Sequence, residues 1–171
     1  MRHQITDKIF HWLNAIVVIV LMVTGFLPKL GLSFNWPNFH WLAGILLLLL
    51  TLFHMYRAIF RLESKAMNIG MSDLKYDSSR KYNFTQKGIH LIFSALILLI
   101  IMTGFLMALK ADVVGITRNA YIFEEHTWGW IYALHGLVSL MLLSFVMIHT
   151  YFNLRKENRV YLLSMLFYKS K

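Results

Sequence analysis

Four stretches of about 20 mostly apolar residues dominate this sequence, near 9–28, 39–60, 88–109 and 130–152. At about 1.5 Å of helix per residue, each is long enough to cross the roughly 30 Å hydrocarbon core of a bilayer. Lipid offers no partner to an open backbone group, and the residues do not alternate as barrel strands do, so each run must be a helix. The chain has 171 residues, of which 58% are hydrophobic and only 15% charged, far too apolar a balance for a soluble domain of this size. The expected fold is an all-α membrane protein, a single four-transmembrane-helix bundle over residues 1–171. The first run follows a short basic start and superficially resembles a signal peptide. It is about 20 residues long, lacks a small-residue cleavage site and contains His11, so it reads as a retained span.

Lys and Arg set the expected orientation. The start carries Arg2 and Lys8, the connection between spans two and three carries seven basic residues from Arg57 to Lys87, and the tail carries five from Arg155 to Lys171. The other two connections carry only Lys29, and Lys110 with Arg118. Both termini are therefore expected to be cytoplasmic, in a multi-pass protein of a prokaryotic cytoplasmic (inner) membrane. Segments 28–38 and 110–129 then face outward, with Trp36, Trp41, Trp128 and Trp130 as an outer aromatic belt. The net charge of +9 belongs to these flanks rather than to a nucleic-acid site, because no soluble domain is left to present one. A short interfacial helix is expected within 62–86, and the tail near 158–168 (VYLLSMLFY at its heart) is too short to span and should lie along the inner interface.

The spans are unusual in their histidines. His135 and His149 lie 14 residues apart on span four, and His40 and His54 lie 14 apart on span two. That interval rises about 21 Å and turns just under four times, so each pair sits near one helix face at two depths of the membrane. His11 and His90 fall at the inner depth on spans one and three. Ionisable residues inside a membrane are functional candidates by default, and neutral imidazole is a good iron ligand. Without cysteine the chain has no disulfide, no cysteine-held iron–sulfur cluster and no covalent haem attachment. The reading is two b-type haems stacked across the bilayer, each gripped by two imidazoles from facing helices. The outer pair is His40 with His135. The inner site has four candidates, His11, His54, His90 and His149, and spacing alone pairs His54 with His149. Zinc is the competing metal, but short spacings such as HExxH are absent. Gly25, Gly104, Gly44 and Gly136 lie near the outer histidines, where a missing side chain lets a flat macrocycle approach the backbone; ordinary small-residue helix packing is the alternative. His11 precedes Thr24-Gly25-Phe26 by the interval that separates His90 from Thr103-Gly104-Phe105, a weak sign of a duplicated two-helix hairpin.

Span one reads DKIFHWLNA and then TGF, span two FHWLAGILLLL and then YR, and span four LHGLVSL and then IHTYF; RKYNFTQKG precedes span three. These segments resemble the di-haem cytochrome b (gamma) subunit of membrane-bound formate dehydrogenases and nickel–iron hydrogenases, over nearly the whole chain. The resemblance implies that the inner haem is held by His11 and His149 and the outer one by His40 and His135. His54 and His90 are then spare, for hydrogen bonds or proton movement. It also implies a quinone site, for menaquinone or ubiquinone, at Asn83, Gln86 and Lys87. The partners expected are a periplasmic iron–sulfur subunit and its catalytic subunit, since the chain has no ligands for the metals that oxidise formate or hydrogen. Two other readings stand beside this one. The first is a free-standing four-helix cytochrome b that oxidises superoxide and reduces quinone, which would use a histidine in span three; the second is an assembly scaffold with purely structural histidines.

Overall fold

A computed structural model describes residues 5–32, 34–60, 84–111, 113–155 and 163, with the side chains of 85, 86 and 120 left aside. Four helices account for nearly all of them: α1 (Ile5–Phe26), α2 (Trp36–Phe60), α3 (Phe84–Lys110) and α4 (Glu125–Leu154). Each is long and apolar enough to cross a membrane. Their outer faces are crowded with exposed Leu, Ile, Val and Phe, as suits helices whose solvent is lipid. Of the segment 62–86 expected to hold an interfacial helix, residues 84–86 begin α3 and the rest, Asn83 included, lies outside the described residues, as does the tail near 158–168 apart from residue 163.

The helices outrun the apolar stretches. α4 begins at Glu125 rather than near 130 and has 30 residues, about 45 Å, enough for the hydrocarbon core and both headgroup layers. Span one covers Ile5–Leu30 but changes its winding before its end. Pro28 has no N–H to continue an α-helix, so α1 stops at Phe26 and gives way to a 3-10 turn over Leu27–Leu30. Gly31 closes that turn at φ 89°, a left-handed conformation in which its N–H bonds back to the Pro28 carbonyl.

Helices α1 and α2 pack closely as one hairpin and α3 and α4 as another, while α2 meets α3 more sparingly. The core is small. Val17, Leu47 and Leu50 are buried, with Phe10, Leu21, Ile97 and Ile101 against them, so α1, α2 and α3 meet at mid-bundle. Polar side chains within the helices turn back on their own backbone: Asn14 donates to the Phe10 carbonyl, Thr51 to Leu47, Ser139 to His135 and Ser144 to Leu140. The terminal end of the first hairpin is tied by an ion pair between Arg57 and Asp7, with the guanidinium over the rings of Phe10 and Phe53.

The opposite end, where residues 27–35 and 111–124 join the helices, is knitted by specific contacts. Trp41 Nε1 donates to the Val114 carbonyl (3.0 Å), and the Val114 N–H donates to Asn38 Oδ1 (3.3 Å). Lys110 meets both carboxylate oxygens of Glu125 at 2.9 Å and lies over the rings of Trp128 and Tyr132. Glu125 is thus engaged within the chain rather than left as a bare loop charge. Trp128 corrects the expected aromatic belt: it has 0% exposure, edge-on to Phe123. The cause is the early start of α4, which sets Trp128 beneath the connection instead of at a lipid surface. Trp128→Ala should therefore open a cavity and cost about 3 kcal/mol, read as a lowered unfolding temperature in detergent, whereas exposed Trp130→Ala should leave that temperature nearly unchanged.

Candidate functional site

Two imidazoles face each other near the joined end of the bundle. His40 lies in the second turn of α2 and His135 near the middle of α4, with ring centres 6.3 Å apart and planes at 69°. A metal–nitrogen bond of about 2 Å plus about 1.1 Å from nitrogen to ring centre puts two axial imidazoles about 6.2 Å apart across one metal ion. The ring planes both contain that axis and can take any mutual angle about it. The separation fits.

The neighbours fix how each ring is protonated. Thr24 Oγ1 lies 2.9 Å from His40 Nδ1, and Thr103 Oγ1 lies 2.9 Å from His135 Nδ1. Each threonine has one hydroxyl proton, and it goes to a backbone carbonyl one turn back: Val20 at 2.7 Å for Thr24, Leu99 at 2.9 Å for Thr103. The hydroxyl oxygen must then accept from Nδ1–H. That leaves the proton on Nδ1 and the lone pair on Nε2, ready for a metal, the orientation that outer-shell partners impose on ligating histidines. Both threonines are buried.

The next residue makes room for the ring. A Cβ built on Gly25 would sit 3.3 Å from His40 Cε1, and one on Gly104 would sit 3.3 Å from His135 Cε1. These two glycines therefore admit the imidazole itself. Around Gly44 and Gly136 the equivalent position is open. The repeated Thr-Gly pair was visible in the sequence, but nothing in one chain showed that it faced the histidine of the next helix.

Four histidines gather at the terminal end, again in twos. His11 of α1 and His149 of α4 have ring centres 6.2 Å apart at 53°. His54 of α2 and His90 of α3 are 5.9 Å apart at 49°, with Phe10 stacked on His54. His54 thus faces His90, not the His149 that spacing alone selects; equal rise along α2 and α4 sets a common depth and does not make their inner histidines neighbours. Asn153 Nδ2 lies 3.2 Å from His149 Nε2. An amide N–H donates, so Nε2 carries the lone pair there as well. Lys87, one turn before His90, is buried. Gln86 lies in the first turn of α3, and Asn83 is outside the described residues.

Among the described residues no three His, Cys, Asp or Glu side chains converge on one point. A bare ion such as zinc needs three or four protein ligands, and the described residues bring no such set together. Ligands offered two at a time suit a metal whose equatorial positions are filled by a planar macrocycle, and iron porphyrin fits that donor set.

The model of the family described as prokaryotic cytochrome b561 matches residues 2–168. No curated protein and no solved structure matches the chain.

Thr103→Val keeps the shape but removes the acceptor of the His135 Nδ1–H. It should weaken haem retention at this site by about 10–100-fold, measured as faster haem loss to an apo-globin scavenger, with Thr103→Ser restoring it. Gly104→Ala should displace the ring by a few tenths of an ångström and alter the low-spin electron paramagnetic resonance of an iron porphyrin held there.

Proposed function

This chain belongs to the prokaryotic cytochrome b561 family, as a multi-pass b-type cytochrome of the prokaryotic cytoplasmic membrane, and we propose that it is the membrane subunit of a quinone-reducing complex, with one haem at His40/His135 and one at His11/His149 as its electron path. In this reading electrons enter at the joined end from a periplasmic iron–sulfur subunit and its catalytic partner, of the formate dehydrogenase or nickel–iron hydrogenase type. They leave to menaquinone or ubiquinone at the terminal end. The observation that carries the reading is the pair of bis-imidazole sites, His40/His135 and His11/His149, with centre separations of 6.3 and 6.2 Å at two depths about 21 Å apart along the helices.

Iron porphyrin held between such imidazoles supplies a one-electron iron(III)/iron(II) couple. The chain's own residues do the rest. Thr24 and Thr103 keep the His40 and His135 rings neutral, oriented and lone-pair-out. The apolar helices exclude water around both levels, and burial together with hydrogen bonding to the ligands is what sets a haem's potential. The basic terminal end supports a cytoplasmic placement. Lys87, buried in the first turn of α3, with Gln86 and Asn83 close by in sequence, would bind a quinone carbonyl and pass it protons from cytoplasmic water. Charge moved across the whole membrane is worth about 2.3 kcal/mol per 100 mV, so electron entry outside and proton uptake inside make the reaction electrogenic.

Purification tests the reading as a whole. Co-isolation with a ferredoxin-like subunit and donor-dependent quinone reduction are expected. An isolated cytochrome that reduces quinone with superoxide would replace it with the free-standing enzyme, and a chain without haem would leave only the scaffold. His135→Ala should abolish one component of a redox titration, that of the joined end, and leave His11/His149 binding intact. Gln86→Ala or Lys87→Ala should lower quinone turnover about tenfold, one charge-assisted hydrogen bond of about 1.5 kcal/mol, with haem content unchanged.

A further inference from the structure

The two hairpins carry the same chemistry in the same order. His11 precedes Thr24 by 13 residues and His90 precedes Thr103 by 13; His40 precedes His54 by 14 and His135 precedes His149 by 14. Lys8 precedes His11 by three residues, as Lys87 precedes His90. The structure repeats the match in three dimensions: the Thr24–His40 and Thr103–His135 bonds are both 2.9 Å, and both glycine positions approach their imidazole at 3.3 Å. Exchanging the hairpins, α1 for α3 and α2 for α4, therefore carries these histidine, threonine and glycine positions onto one another, although α2 packs on α3 more closely than α1 does on α4.

That exchange treats the histidine pairs differently. It maps His40/His135 onto itself, so the joined end has one site on the pseudo-twofold axis. It maps His11 onto His90 and His149 onto His54. The pair His11/His149 thus has a counterpart, His54/His90. The two pairs agree in separation, 6.2 against 5.9 Å, and in interplanar angle, 53° against 49°. An axis through the bundle gives one site where it passes between the partners and two where it does not.

The second pair is otherwise unexplained. His54 and His90 are both exposed along membrane-crossing helices. Among the described residues neither ring makes a hydrogen bond; the rings lie against each other, with Phe10 stacked on His54 and the Arg57 guanidinium over the Phe10 ring. An imidazole with unmet nitrogens is costly in lipid, and the other polar side chains of these helices avoid that cost by bonding to their own backbone. Among the described residues no third ligand joins these two imidazoles, and a two-nitrogen donor set suits a macrocycle.

We propose that His54 and His90 are the axial ligands of a further iron porphyrin at the terminal end of the bundle, the pseudo-symmetric counterpart of the one assigned to His11 and His149. The proposal rests on the haem-binding reading of those sites, and one experiment separates the two. The full chain is purified in detergent, and its haem is measured by pyridine haemochrome against quantitative amino-acid analysis. Three haems per chain are expected, falling to two in His54→Ala and in His90→Ala, with the His40/His135 resonance unchanged as evidence of an intact fold. Free imidazole added to His90→Gly should restore the missing low-spin signal, which a merely structural role for His90 would not allow. His54→Met should keep the iron bound but raise the midpoint potential of one component only. Two haems per chain, both unaffected by changes at His54 and His90, would overturn this proposal and leave the proposed function standing. No haem in the unmodified chain would end both.

Discussion

A bilayer interior supplies no hydrogen bonds, and that single deficit explains most of this protein. It makes every apolar run a helix. It turns the serines and threonines back onto carbonyls of their own helices. It also decides the chemistry of the histidines. Because Thr24 and Thr103 spend their protons on Val20 and Leu99, their oxygens can only accept, and the imidazoles opposite must donate from Nδ1. In water a threonine could satisfy itself with solvent and leave the ring free to choose its tautomer. In lipid the choice is made, and a metal-ready Nε2 follows from a hydrogen-bond deficit.

The same logic accounts for the glycines. A threonine can reach an imidazole on the neighbouring helix only if the two backbones lie close, and the residue after it must then yield space. Gly25 and Gly104 do so, each 3.3 Å from a ring carbon at the position its Cβ would take. Thr-Gly acts as a unit, one residue binding the ring and the next admitting it. Its appearance once per hairpin ties the histidine level of α2 to α1, and that of α4 to α3. Each hairpin is thereby a half-site, and the site at the joined end exists only when the halves face one another.

The two ends of the bundle are built differently. At the joined end Trp41, Asn38, Val114, Lys110 and Glu125 lock the connections onto the helices, and Trp128 is sealed beneath them. At the terminal end Arg57 pairs with Asp7, and four imidazoles stand in two facing pairs.

Much of this was legible in the residues themselves. Hydrophobic length determined the four crossings, because a helix rise of about 1.5 Å per residue must match a fixed thickness of lipid. The 14-residue intervals determined that His40 with His54, and His135 with His149, mark two depths, because four helical turns return nearly to the same face. Other features depend on neighbours that a linear order does not reveal. That Trp128 is core rather than belt, that Thr24 and Thr103 govern the tautomer, and that His54 meets His90 while His11 meets His149 are facts of how one helix lies against another. Spacing along a helix sets depth, a local property of the backbone. Pairing across the bundle is set by crossing and rotation of whole helices, and only the packed tertiary structure decides that.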